Sequence, residues 1–67
     1  MKVYLIQGNS GEVYPEDYYE WIEGIYLVKE NAEKKLKKLR AKAKRDYEKD
    51  HFFAEREYKI IELTTKD

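Results

Sequence analysis

The hydrophobic rhythm of this chain changes period once. From Lys2 to Gln7 the side chains alternate, with Val3 and Leu5 on one side and Tyr4 and Ile6 on the other, which predicts a strand. Gly8-Asn9-Ser10-Gly11 follows as a turn cluster, because Gly and Asn tolerate positive φ. Pro15 then removes a backbone donor and fixes φ. Residues 8–19 therefore read as a long connection, with strand-like edges near Gly11–Tyr14. Trp21 to Leu27 is rich in aromatic and β-branched residues and predicts a second strand. Gly24 inside it marks a bulge or a close backbone approach.

From about Lys29 to Asp50 the period becomes helical. Ala32, Leu36, Leu39, Ala43 and Tyr47 recur at spacings of 4, 3, 4 and 4, forming one narrow apolar stripe. Glu30 and Glu33 in the first turn suit the helix dipole. Glu30–Lys34 and Glu33–Lys37 have the spacing and orientation of stabilising ion pairs. The start has no good cap: Val28 offers no side-chain acceptor, and Asn31 would cap only a helix that begins late. His51, Phe52 and Phe53 are expected to end the helix and pack back on the core. Glu57 to Thr64, with Ile60, Ile61 and Leu63, predicts the last strand. Thr65-Lys66-Asp67 is expected to fray.

The order strand, strand, helix, strand predicts an α+β fold over a single domain, residues 1–67. The expected architecture is a three-stranded antiparallel sheet with one long helix packed on one face (β-β-α-β). The helix returns the chain so that the third strand lies beside the first. Both faces of the first and third strands are apolar, and one helix covers one face. The other face should then expose either Tyr4 and Ile6 or their opposites, a patch of the kind that marks an interface.

Length sharpens that expectation. A chain of 67 residues buries only ~60% of the surface its unfolded form exposes. Small scaffolds of this size commonly need a staple. With no cysteine, a disulfide and a thiolate metal site are both excluded, and the single His51 excludes a histidine cluster. Self-association is the remaining common staple, so a homodimer is expected. Val3 to Ile6 is too short for a signal-peptide core, and no stretch approaches the ~18 apolar residues of a membrane span. A soluble, cytoplasmic chain without membrane contact is expected, and the absence of cysteine suits a reducing compartment.

The formal net charge is zero, yet the charges are segregated. Residues 1–27 carry five acids against Lys2, residues 28–50 ten bases against five acids, and residues 51–67 three bases against four acids. Any nucleic-acid contact would have to rest on a local patch rather than on overall charge.

Two local features carry candidate chemistry. Between Glu12 and Glu23 lie five acids and four aromatics in twelve positions, with no Lys or Arg. Tyr and Trp anchor binding interfaces, and carboxylates steer a basic partner. The competing reading is that Trp21 and one or two tyrosines complete a thin core while the acids are solvated. Phosphate mimicry by the carboxylates is a third, weaker reading. Trp21 to Glu23 belong to the second strand, so the candidate partner-binding residues narrow to Tyr14, Glu16, Asp17, Tyr18, Tyr19 and Glu20. Tyr18 and Tyr19 are adjacent, so an extended segment cannot turn both inward.

The second feature is Lys34–Arg45, where eight of twelve residues are basic and none is acidic. Lys37, Lys38, Lys44 and Arg45 are the candidate nucleic-acid contacts. At 100° per residue, however, the bases spread around most of the circumference outside the apolar stripe, which is the pattern of a solvated helix. No aromatic lies among them to stack on a base. The acidic segment is an alternative neighbour for this helix, within one chain or across a dimer.

No catalytic, cofactor or metal constellation emerges. Gly8-Asn9-Ser10-Gly11 lacks the trailing Gly-Lys-Ser/Thr of a P-loop. His51 beside Asp50 has no nucleophile placed near it, and Glu16-Asp17 with Glu20 lacks calcium-loop spacing. A non-enzymatic chain without cofactor is expected.

Four segments carry a family resemblance: Lys2-Val3-Tyr4-Leu5-Ile6, Glu20-Trp21-Ile22-Glu23-Gly24-Ile25-Tyr26, Lys29-Glu30-Asn31-Ala32-Glu33 and Tyr58-Lys59-Ile60-Ile61-Glu62-Leu63. Together they resemble the small strand-strand-helix-strand proteins of unknown function found in bacteria and their phages. The chain departs from them at Val28, where such proteins tend to have Ser, and in a longer, more basic helix. The resemblance implies the fold and a phage or prophage origin, hence a host-cytoplasmic setting. It implies no catalytic residue. The expected function is a non-enzymatic protein-binding module acting through the acidic-aromatic loop, with nucleic-acid binding by the helix as the alternative. Phage proteins of this size often block a host enzyme or defence complex, so the resemblance implies an inhibitor of a host protein or defence complex.

Overall fold

The computed structural model describes residues 1–52 and 54–66. Strand β1 (Lys2–Asn9) is followed by a short 3-10 turn (Pro15–Asp17), strand β2 (Glu20–Tyr26), helix α1 (Lys29–Lys49) and strand β3 (Glu57–Thr64). The sheet order is β2-β1-β3, antiparallel throughout. The expected α+β architecture, with β3 beside β1, is the one observed. The outer strands consequently run parallel to each other, and α1 crosses the sheet to connect them.

The central strand explains the first departure from expectation. Gly8 and Asn9 continue β1 instead of turning, because each has a partner on both sides: Gly8 faces Trp21 and Tyr58, and Asn9 faces Glu20 and Glu57. The turn begins two residues later. Gly11 takes φ 73°, and its N–H donates to Asn9 Oδ1 at 2.8 Å. Gly11–Tyr14 has no strand edge; Pro15 instead opens a 3-10 turn. Gly24 sits beside the expected bulge: Ile6 faces Gly24 while Gln7 faces Ile22, leaving Glu23 as the extra residue.

Pairing assigns the two faces. Ile6 on β1 is fully buried beneath the helix and packs with Ala43 and Tyr58, flanked by Trp21, Tyr26, Leu36, Leu39 and Ile60. The residues left uncovered are the opposites of Tyr4 and Ile6, namely Val3 and Leu5 with Ile25, Ile61 and Leu63.

The apolar stripe of α1 is only partly used. Ala32 and Ala43 are buried, but Tyr47 is exposed and stacks on His51 with centroids 4.8 Å apart. Helix length gives the reason. A helix of 21 residues spans ~31 Å, whereas an eight-residue strand spans ~27 Å, so the last turn overhangs the sheet. His51 and Phe52 therefore do not return to the core: both are exposed, and the Phe52 N–H donates to Asp50 Oδ1 at 3.0 Å. The same expectation for Phe53 lies outside the described residues. Thr65 does not fray, since its N–H and hydroxyl both donate to the Met1 carbonyl at 2.7 and 3.1 Å. The expectation for Asp67 lies outside the described residues.

Helix α1 begins without a side-chain cap at Val28, and Asn31 does not act as one: its N–H donates to the Val28 carbonyl within the first turn. The expected Glu30–Lys34 and Glu33–Lys37 pairs are not formed. Among the described residues the ion pair is Lys2–Glu62, 3.3 Å across the surface. Exposed pairs of the first kind contribute little, so the helix is held by packing of its stripe. No helix of the described residues is long and apolar enough to cross a membrane.

Candidate functional site

The segment between β1 and β2 is shaped by Ser10. This side chain is 6% exposed, and its Oγ donates to the Asp17 carbonyl at 3.0 Å while accepting from the N–H of Tyr19 (3.3 Å) and of Glu12 (3.5 Å). Its own N–H donates to the Tyr19 carbonyl at 3.0 Å. One hydroxyl thus closes the base of the loop. The 3-10 turn closes the tip, with Asp17 N–H on the Tyr14 carbonyl at 2.9 Å and Tyr18 N–H on that of Pro15 at 3.3 Å. Glu12 Oε1 accepts the Ala54 N–H at 2.9 Å and ties the loop to the segment before β3.

Polar bonds hold the backbone, so the rings need not be buried to order it. Tyr14, Tyr18 and Tyr19 are 65%, 43% and 58% exposed. Glu16, Asp17 and Glu20 are exposed beside them. All six predicted partner-binding residues are therefore on the surface, but they point two ways.

Tyr19 leans toward the helix side, its ring 5.5 Å from that of Trp21. With Glu16 and Asp17 it faces Asp46, Tyr47 and Asp50 of α1 across a cleft of about 700 Å³, in which Arg56 is the base. Tyr18 turns to the other side of the sheet. It lies beside the Glu20 carboxylate, with Glu57 nearby. Partial desolvation, then the charge and hydrogen bond of Glu20, then the charge of Glu57, raise its pKa above the ordinary 10.0. Tyr14 and Glu20 do not line the cleft. Sequence reasoning missed the helix side of this cleft. Asp46 and Asp50 flank the apolar position Tyr47, and that spacing could have pointed to them.

Trp21 belongs to the core side of the segment. Its indole lies over Gly8, meets Tyr58 edge-on at 6.0 Å and donates through Nε1 to Glu23 Oε2 at 2.7 Å. Glu23 is thereby occupied by a neighbour within its own strand.

On α1, Lys37, Lys38, Lys44 and Arg45 are all exposed. Lys37 and Lys44 lie within 20° of each other around the helix, as do Lys38 and Arg45, two turns apart. Arg40 from the same basic run serves the fold instead, donating to the Tyr58 carbonyl at 3.0 Å. Among the described residues no ion pair joins the acidic segment to this helix. No group of three or more His, Cys, Asp or Glu among them could hold a metal ion. Comparison with protein-family models, curated proteins and solved structures finds no match.

Proposed function

We propose that this chain is a non-enzymatic protein-binding module that captures a basic partner through Tyr14, Glu16, Asp17, Tyr18, Tyr19 and Glu20. The observation that carries the reading is a loop ordered by Ser10 while its three tyrosines stay exposed beside Glu16, Asp17 and Glu20, which form no ion pair among the described residues. Side chains presented on a fixed backbone lose less entropy on binding. Aromatic rings supply contact area, and carboxylates supply steering toward a basic surface. Occupying a partner's basic surface in this way is how a small phage- or prophage-encoded inhibitor of a host protein or defence complex would act in the host cytoplasm.

The second reading is nucleic-acid binding through Lys37, Lys38, Lys44 and Arg45, and the two aligned pairs on the exposed helix side favour it. A gel shift at low salt separates the two. Protein capture without a shift supports the loop reading. A shift that disappears in Lys37/Lys38/Lys44/Arg45→Glu supports the helix reading.

A further inference from the structure

We propose that the uncovered sheet face joins two copies of this chain, packed face to face with their strands antiparallel about a two-fold axis through the Leu5 row. The face is built of cross-strand rows. Glu20, Asn9 and Glu57 form the first; Ile22, Gln7 and Lys59 the second; Ile25, Leu5 and Ile61 the third; Val3 and Leu63 the fourth. Beyond the fourth row lies the end of the sheet that carries Lys29 and Lys66. The face is acidic at one end, apolar along its middle and basic just past the other end.

Exposure defines its size. Ile22, Ile25 and Leu63 are 52%, 66% and 44% exposed, and Leu27, 63% exposed, follows at the end of β2. With Val3, Leu5 and Ile61 they make an apolar patch that runs across all three strands, the kind of surface that marks an interface. On the opposite side, the buried hydrophobics among the described residues are Ile6, Ala32, Ala43 and Tyr58. Such a thin core gains most from a second layer of burial. The slab is 11 Å in its smallest extent, and a second copy makes a four-layer helix-sheet-sheet-helix body.

Charge selects both the occupant and its direction. A two-fold along the strands would stack the Glu20–Glu57 row on its own copy and oppose four carboxylates. A two-fold across the strands keeps β2 over β2 and β3 over β3 but reverses their direction. The Ile25–Leu5–Ile61 row then meets itself. Each acidic row moves over the other copy's Lys29 and Lys66 end, and Lys59 lays its aliphatic stem along Leu63. The face is thus complementary to itself in one direction only.

Sedimentation equilibrium of the purified chain tests this. The expected result is twice the chain mass at high micromolar concentration, dissociating on dilution. Ile25→Lys places two charges at the two-fold and should weaken association roughly tenfold or more with the circular dichroism unchanged; Leu63→Lys serves the same purpose if the first variant loses structure. A wild-type chain that stays at single-chain mass, or a folded variant of either kind that still dimerises like wild type, overturns the proposal. Glu20→Lys combined with Glu57→Lys should also weaken association. Tightening instead would overturn the antiparallel arrangement.

Discussion

Gly8 lies directly beneath the indole of Trp21, so closely that a Cβ at residue 8 would fall 2.6 Å from Trp21 Cε2. No real Cβ sits that near a ring. Gly8 is the cross-strand partner of both Trp21 and Tyr58, so its bare backbone leaves room for these two rings to meet edge-on. Gly8→Ala should push the indole outward and break its bond to Glu23. The expected cost is about 1–3 kcal/mol, the range of overpacking substitutions. A lower Tm together with red-shifted tryptophan fluorescence checks this; an unchanged emission maximum would contradict it.

Ser10 supports the loop as Gly8 supports the core. Removing its hydroxyl leaves the Tyr19 N–H without its Oγ acceptor and the Asp17 carbonyl without its donor. Ser10→Ala should destabilise the domain by about 1–3 kcal/mol, because a buried hydrogen-bonding group is lost. Amide exchange should accelerate at Tyr19 while β3 stays protected. Equal acceleration across the sheet would show that Ser10 serves the whole fold rather than the loop.

Helix α1 can be improved at the residue that precedes it. Val28 is 51% exposed in an extended conformation and supplies no cap. Val28→Ser or Val28→Asp places an acceptor over the first-turn N–H groups and should add about 0.5–2 kcal/mol. In a domain of this size each kcal/mol raises Tm by roughly 4–8 °C. Thermal unfolding decides the matter, and a lowered Tm would mean that the Val28 side chain packs more than its exposure indicates.

Tyr18 should titrate above an ordinary tyrosine. Its folded pKa is raised, so the unfolded chain loses this proton first as pH increases. The linked stability is present below the ordinary value near 10.0 and declines as pH rises through and beyond it. The effect on stability should be small, because the ring is 43% exposed. NMR titration should find Tyr18 displaced upward, and Glu20→Gln should lower it toward the ordinary value. An unmoved tyrosine in that variant would contradict the assigned partner.

The elements legible in the sequence are those with a strong period. Alternation at Val3–Ile6 and Ile60–Leu63 located β1 and β3, and the Ala32–Ala43 stripe located α1 and its buried face. The misses share a different cause: contacts distant in sequence. Gly8-Asn9 looks like a turn until Tyr58 and Glu57 arrive from the other end of the chain to pair with it. Phe52 looks like core until the helix proves longer than the sheet beneath it. At the loop, composition singled out the rings and carboxylates, but Ser10 has no local signal of its role. The division of the loop follows from strand alternation, which sends Tyr18 and Tyr19 to opposite sides.

Affinity capture by two variants side by side tests the central claim most directly. One carries Tyr18, Tyr19 and Glu20→Ala; the other carries Lys37, Lys38, Lys44 and Arg45→Glu; both are first shown to fold by circular dichroism. The loop account predicts that a partner protein held by the wild-type chain is lost from the first variant, retained by the second, and weakened by salt as expected for a basic partner. Undiminished capture by the folded loop variant, with loss confined to the helix variant, would contradict it.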